Sequence, residues 1–374
     1  MTSTLYVGLM SGTSMDGIDA ALVDCAGDAI TLLATHEHPL PENLRAEIAS
    51  ISQPGNDEIE RLGPLDRELG YRFAEAATTL LENAGYLPAD IAAIGSHGQT
   101  IRHRPPSAGH SQQASFTLQI GDANTIAEQT GVTTVADFRR RDVAAGGEGA
   151  PLAPAFHAAA FGDENSPRAI VNIGGIANAT LLAGKEVVAG FDTGPGNTLL
   201  DQWMQRHQGQ PYDRDGAWSS EGDIVPALRD ALLADPYFTL SGPRSTGKEH
   251  FNMTWLENSL DTLKETPEPR DIQATLAELT ARTIADGIAN SGFEPEAVYI
   301  CGGGARNTDL MRRLYKALAP IPLDTTAVLG LEPEWVEAAA FAWLAKQTLA
   351  GLPGNAPVVT NATGARVLGA IFPA

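Results

Sequence analysis

Cysteine is almost missing from this chain: Cys25 and Cys301 are the only two, and they lie far apart. A disulfide scaffold is therefore excluded, and so are CxxC metal or redox motifs. No HExxH or paired His/Cys spacing occurs, which argues against a metal hydrolase. Long apolar runs are lacking too, and no stretch approaches the length needed to span a bilayer. The opening residues Met1-Thr2-Ser3-Thr4-Leu5 carry neither the basic nor the apolar region of a signal peptide, so a cytoplasmic protein is expected. Basic residues are scarce, with 25 Lys plus Arg against 46 Asp plus Glu and a formal charge of −21. That field repels nucleic acid and anionic lipid, so neither is an expected partner. An anionic ligand would have to be met by a local arrangement of donors.

What is present is enough apolar residue for a sizeable core. The 43% hydrophobic and 19% charged content excludes a disordered chain. A length of 374 residues favours two domains. The chain opens with a strand at Thr4–Val7, a turn-rich Ser11-Gly12-Thr13-Ser14-Met15-Asp16-Gly17, and a second strand at Ile18–Asp24. Helices are expected over Pro41–Ser52 and Asp57–Ala84, the latter with Leu62, Leu65, Leu69, Phe73, Ala76 and Leu80 at helical spacing. Ala89–Ile94 reads as a buried strand ending at Ser96-His97-Gly98-Gln99, residues 104–115 as loop, and Val132–Ala136 as another strand. A second strand–turn–strand unit follows: Arg168–Ile173, Gly174-Gly175, then Ala177–Leu182. The two glycine turns lie about 160 residues apart, the length of one domain, which points to a duplicated architecture. Further on come a strand at Val187–Phe191, helices at Ile272–Asn290, Thr308–Leu318 and Pro333–Ala350, and a buried strand at Ala297–Ile300. Strands alternating with helices predict two α/β domains, placed at 1–135 with about 365–374, and at 136–364.

Glycine turns at strand ends let backbone N–H groups approach and hold phosphate oxygens. Such turns recur at Gly12, at Asn172-Ile173-Gly174-Gly175 and at Gly302-Gly303-Gly304. Thr13 and Ser14 add hydroxyl donors, and Asp16 adds a carboxylate able to orient hydrated Mg²⁺. An ordinary hairpin turn accounts for any one of these motifs alone. No GxxxxGK[ST] occurs: the nearest run, Gly242 to Gly247-Lys248, has Glu249 where the metal-binding hydroxyl belongs. Asp192 ends an apolar strand just before Thr193-Gly194-Pro195-Gly196, at the crevice where α/β domains bind ligands. It reads either as a general base or as a turn-forming aspartate. Asn197 or Thr198 would cap the helix that follows. Arg139-Arg140-Arg141 is a basic triplet in an acidic protein, read as an anion fork or as a solvated, ion-paired loop. Glu337 sits on an apolar stripe with Ala340, Phe341 and Leu344, either functional or favoured by the start of its own helix.

Taken together, these residues resemble the anhydro-N-acetylmuramic acid kinase family. The resemblance rests on Gly8–Gly17, Gly95–His103, Ala136–Pro151, Asn172–Gly175, Gly190–Asn197, Ser245–Glu249 with Phe251-Asn252, and Cys301–Ala305 with Asn307. It runs in order along nearly the whole chain; only the 105–113 loop looks long for the family, as a surface excursion. The family belongs to the sugar kinase, heat-shock 70 and actin superfamily. The resemblance implies two ribonuclease-H-like domains around a central nucleotide cleft. It also implies a reaction in which 1,6-anhydro-N-acetylmuramic acid, ATP and water give N-acetylmuramic acid 6-phosphate and ADP. By carry-over, Gly12, Thr13, Ser14, Met15, Asp16, Gly17, Ile18 and Asp19 form the first phosphate loop, with Asp16 holding Mg²⁺ through water. Asn172, Gly174 and Gly175 form the second, and Gly302, Gly303, Gly304, Ala305 and Asn307 contact the nucleotide. Asp192 is the implied catalytic base, and His97, Arg140, Arg141 (or Arg139) and Glu337 surround the sugar. A homodimer is expected, as is general in the family. Two competing readings stand beside it: a related kinase acting on a neutral sugar, and a nucleotide-driven binding switch.

Overall fold

Two five-stranded cores of the same strand order make up the chain. The computed structural model describes residues 3–12, 15, 17–240, 242 and 244–374. In the first unit, β1 (Leu5–Ser11), β2 (Gly17–Asp24) and β3 (Thr31–Pro39) form an antiparallel meander. β4 (Ile91–Arg104) then lies parallel to β1 on its other side, with β5 (Phe116–Ile120) folded back on it and β6 (Thr134–Ala136) parallel beyond. A C-terminal strand, Ala370–Phe372, closes the far edge against β6. In the second unit, β7 (Asp163–Ile173), β8 (Ile176–Gly184) and β9 (Glu186–Pro195) repeat the meander, and β10 (Ala297–Cys301) and β11 (Leu323–Thr325) add the parallel pair. Both sheets therefore run meander edge, middle, first strand, then two parallel strands, with helices supplying the crossovers. Each unit is ribonuclease-H-like, and the chain is α/β throughout.

The expected periodicities produce the expected helices. Leu65, Leu69, Phe73, Ala76, Ala77 and Leu80 form the buried stripe of helix Glu58–Ala84, which packs with Val7, Leu9, Ile18, Leu22 and Ile94. Gly85 ends that helix at φ +76°, a left-handed conformation glycine adopts without penalty. In the second unit, Ala281, Ile284, Ala285 and Ile288 of helix Pro269–Asn290 pack with Val171, Ile173, Val298 and Ile300. β3 was not foreseen: its nine residues, Thr-Leu-Leu-Ala-Thr-His-Glu-His-Pro, form a half-exposed edge strand whose polar side chains hide its period. β5 follows the expected 104–115 loop at a place where no element was foreseen, and β4 runs ten residues beyond the expected end at Ile94, because β5 pairs with its extension.

The compact units are Met1–Ala160 with Trp335–Ala374, and Phe161–Glu334, so their bounds differ from the expected 135/136 and 364/365. The reason lies at the paired residues Gly8 and Gly95 on β1 and β4. Helix Val336–Leu349 crosses there so closely that a Cβ on Gly8 would sit 1.8 Å from Ala338 O, and one on Gly95 2.0 Å from Phe341 O. Only glycine permits that approach, and it fastens the helix to the first sheet. Asp142 does the same for the C-terminal segment. Fully buried, it accepts from Asn355 Nδ2 at 2.7 Å, Thr360 Oγ1 at 2.8 Å and Gly149 N at 2.8 Å.

Candidate active site

In the first unit, the turn between β1 and β2 is tied to β4. Ser11 Oγ lies 2.7 Å from Gln99 Oε1 and 3.0 Å from Gly17 O, its one proton shared between these two acceptors, and Gln99 Nε2 donates to Gly12 O at 3.3 Å. Met15 closes the turn at φ +58°, its N–H on Gly12 O. Gly17, Ile18 and Asp19 begin β2; the Ile18 side chain is fully buried in the core, so what it offers a ligand is main chain. Thr13, Ser14 and Asp16 lie outside the described residues.

A second group in this unit gathers at the bend of β4. Arg139, on helix Phe138–Ala144, donates through Nε to His97 Nε2 at 3.0 Å and through Nη1 to Gly149 O at 2.8 Å. Because a guanidinium only donates, the His97 proton sits on Nδ1, which donates to Gly98 O at 2.8 Å. Burial, reinforced by the Arg139 charge, pushes the His97 pKa down to about 3, so the ring is neutral. Burial likewise lowers Arg139 to about 10, opposed by Glu337 and Asp142. Glu337, in the first turn of helix Val336–Leu349, stays solvent-accessible. Crowding by surrounding protein raises its carboxyl above the usual range, and the Arg139 charge opposes the rise. Phe341, one turn later, packs on His97 with ring centroids 4.8 Å apart. Of the basic triplet, Arg139 is the member joined to His97. Arg140 and Arg141 point their side chains to solvent, and Arg140 lies 3.4 Å from Asp137.

In the second unit, Asp192 stands near the C-terminal end of β9. Its Oδ2 accepts from Thr246 N at 2.9 Å and from Ser245 Oγ at 3.1 Å. Its own N–H donates to Arg244 O, while its carbonyl accepts from Tyr237 Oη at 2.8 Å and Arg244 Nε at 3.0 Å. The 244–246 segment thus clasps Asp192 on both its main chain and its side chain. Asp235 anchors the start of this loop, accepting from Tyr237 N, Trp255 Nε1 and His250 Nε2 at 2.9, 2.8 and 3.1 Å. Burial raises the Asp192 pKa to about 6, against the lowering effects of Thr246, Ser245 and Arg244. A carboxylate so tuned is a serviceable base near neutral pH.

The glycine turns of this unit converge at the ends of β7, β9 and β10. Gly196 N and Thr198 N donate to Gly175 O, and Asn197 N donates to Gly174 O. Space is tight enough to require glycine: a Cβ on Gly196 would meet Gly174 O at 2.3 Å, and one on Gly302, at φ +80°, would meet Asn172 Oδ1 at 2.2 Å. Gly304 would strike Ile173 Cγ2 at 2.3 Å, while Gly303 and Ala305 continue the short turn. Asn307 spends its side chain as the cap of helix Thr308–Leu318, accepting from Leu310 N at 2.9 Å. Asn197, expected as a cap, instead donates through Nδ2 to Ile173 O at 3.1 Å, stitching two of these turns together. The sequence reading missed Ser245 and Thr246 as partners of Asp192. Their only signal was the Ser-Thr-Gly-Lys-Glu run, which by itself names no partner.

A family model described as anhydro-N-acetylmuramic acid kinase matches residues 4–374. Curated relatives of the same name include one from Shewanella pealeana, 51% identical over 375 residues, and one from Shewanella sp. strain MR-7, 52% identical over 375 residues. Another, from Saccharophagus degradans, is 50% identical over 372 residues. In all three the match covers 100% of this chain and 100% of the relative. The chain belongs to the anhydro-N-acetylmuramic acid kinase family.

Proposed function

We propose that the protein is an ATP-dependent kinase converting 1,6-anhydro-N-acetylmuramic acid, ATP and water into N-acetylmuramic acid 6-phosphate and ADP. It serves cell-wall recycling and amino-sugar catabolism in the cytoplasm. The observation that carries the reading is Asp192, a strand-end carboxylate clasped by Thr246 N–H and Ser245 Oγ, with a pKa pushed to about 6, in the unit where three glycine turns converge.

Asp192 takes a proton from water as the water oxygen attacks the anomeric carbon. The bridge bond from that carbon to O6 breaks, and its electron pair stays on O6. O6 attacks the terminal phosphorus of ATP, and ADP leaves with the electrons of the bond to the bridging oxygen. Phosphoryl capture replaces protonation of the leaving oxygen, so one carboxylate suffices where a glycosidase uses two. Positioning and charge neutralisation carry such a transfer. Gly12–Asp19 and Asn172–Gly175 serve the phosphates, and Gly302–Ala305 with Asn307 the adenosine. His97 and Glu337 face the sugar, and the exposed forks of Arg140 and Arg141 meet its lactyl carboxylate. Arg139 holds His97 in its neutral, Nδ1-protonated form.

Among the described residues no three His, Cys, Asp or Glu side chains gather as a metal cage. Mg²⁺ would arrive on the nucleotide, whose phosphate oxygens supply much of its coordination in kinase sites. Asp16 would hold one of its waters, and the bound ion would neutralise charge on the transferred group. No described helix is long and apolar enough to cross a membrane. A homodimer is proposed on the family resemblance, and light scattering at twice the chain mass tests it.

Incubation with ATP, Mg²⁺ and the anhydro sugar in ¹⁸O water tests the reaction. Mass spectrometry should find solvent oxygen at the anomeric position and phosphate at the 6-position. Slow ATP hydrolysis without a sugar product would instead favour a nucleotide-driven binding switch, and equal turnover of neutral hexoses a different sugar kinase.

A further inference from the structure

Beside Gly175 lie two side chains that neither the turn motifs nor the family resemblance assigns a role. A Cβ built on Gly175 would stand 2.7 Å from Thr198 Oγ1, 3.2 Å from Lys248 Cε and 3.9 Å from Lys248 Nζ. Thr198 opens helix Thr198–Gln208, eleven residues long, and its side chain is 4% exposed. Its hydroxyl has no hydrogen-bond partner among the described residues. A buried hydroxyl without a partner is costly unless a ligand supplies one. The turn itself is oriented for an anion. The carbonyls of Gly174 and Gly175 point at the N–H groups of residues 196–198, so in trans peptides the N–H groups of Gly175 and Ile176 point the opposite way. The N–H groups of residues 196–198 at the start of that helix are taken by the two carbonyls, so the main-chain donors left for an anion are those of the turn itself.

Lys248 reaches this turn from the loop that clasps Asp192. Thr246, which donates to the Asp192 carboxylate, is only two residues away from it, a span of at most about 7 Å of extended chain. An anion held at Lys248 is therefore within one lysine side chain of the loop that carries the hydrogen-bond partners of the proposed base. In the proposed reaction, the phosphate nearest the sugar is the one transferred.

We infer that Lys248 and Thr198 grip the terminal phosphoryl group of ATP at the Gly174-Gly175 turn, so that one loop holds both the general base and the group being transferred. This rests on the kinase reading above. Lys248 supplies a charge to the non-bridging oxygens, and Thr198 supplies a hydroxyl donor. The residue after Lys248 is Glu249, so the motif is not a P-loop, although its lysine does a P-loop lysine's work.

The test is calorimetric binding of the Mg²⁺ complexes of ADP and of a non-hydrolysable ATP analogue, without sugar, to wild type, K248M, K248R, T198V and T198S. Lys248 is exposed, so its replacement leaves the core intact, and the Thr198 pair gives a second, independent arm. K248M should weaken the ATP analogue by at least about tenfold, the scale of one charge-assisted contact. ADP affinity should stay within about twofold, the change expected where no contact is lost. K248R and T198S should keep most of the preference for the triphosphate, and T198V should lose part of it. Equal weakening of both nucleotides, or no change in either, would overturn the assignment. A wild type that discriminates as described yet yields no sugar phosphate would sink the kinase reading and leave this phosphate site standing. A wild type with no preference for the triphosphate would remove the site itself.

Discussion

Arg139 Nε donates to His97 Nε2 across 3.0 Å, which fixes both the charge and the tautomer of the histidine. Burial is the larger cause of the depressed His97 pKa and the arginine the smaller. In R139M the ring should therefore titrate higher than about 3 but still below the ordinary histidine value. Nuclear magnetic resonance of the His97 ring protons checks this directly. The KM for the sugar should rise by about two- to tenfold as the ring loses its fixed orientation, the loss expected for one misplaced neutral hydrogen bond. An unmoved His97 titration in R139M would show that the pair is not coupled.

Asp192→Asn should abolish turnover while leaving nucleotide affinity near wild type, because it removes the proton acceptor and keeps the shape. In wild type the acid limb of kcat/KM should fall near pH 6, where the buried carboxyl gains its proton. Ser245 contributes one of the two hydrogen bonds that pull this pKa down. S245A should therefore move the acid limb to higher pH while the plateau rate stays within a few-fold. A limb that shifts to lower pH would contradict the assignment of Asp192 as the base.

Much of this was legible in the chain itself. The hairpins around Gly12 and Gly174 and the strand delivering Asp192 follow from local rules of turn chemistry and period. The edge strand Thr31–Pro39 did not: exposure alternates strictly along it, but its less exposed positions carry Leu32, Ala34, His36 and His38 while Leu33 is on the exposed side, so the residue types show no clean period. Nor did the partnership of Asp192 with Ser245 and Thr246, which depends on a loop more than fifty residues away returning to β9. The arginine triplet shows the same limit. Three adjacent residues share one composition, but on helix Phe138–Ala144 only one of them turns inward to His97. The placement of helix Val336–Leu349 in the first unit was hidden for a related reason: glycines at 8 and 95 declare a close approach without naming what approaches.

Those glycines give a stability prediction. G8A places a methyl group 1.8 Å from Ala338 O and 2.7 Å from Ala342 N, both backbone atoms of a packed helix. Relief requires moving the helix off the sheet, so G8A and G95A should each cost more than about 3 kcal/mol or prevent folding. Gly85 is the comparison: its φ is +76° but nothing lies within 4 Å of a Cβ, so G85A should cost only about 1–2 kcal/mol. Urea denaturation of the three variants separates the cases. Similar midpoints for G8A and G85A would mean that the helix gives way easily.

Acid should destabilise the fold from just below neutrality. His97 and His157 are held neutral by burial with pKa values of about 3, and His103 with one of about 4. Once unfolded, each regains an ordinary value near 6.5. Between those limits the unfolded chain binds protons that the native protein does not, so stability falls as the pH drops, by up to about 1.4 kcal/mol per proton per pH unit. Asp192 works against this. Its native pKa of about 6 exceeds its unfolded value, so it takes up a proton first in the native state and offsets part of the loss. Burial raises the carboxyls of Asp66, Asp137 and Glu337 as well, so they offset the loss in the same sense as Asp192, while the three histidines set its onset just below neutrality. In H157F, which removes one buried imidazole outside the proposed chemistry, the decline in melting temperature between pH 6.5 and pH 4.5 should be shallower than in wild type. A parallel or steeper decline in that variant would mean that His157 is charged in the native protein, against the burial that surrounds it.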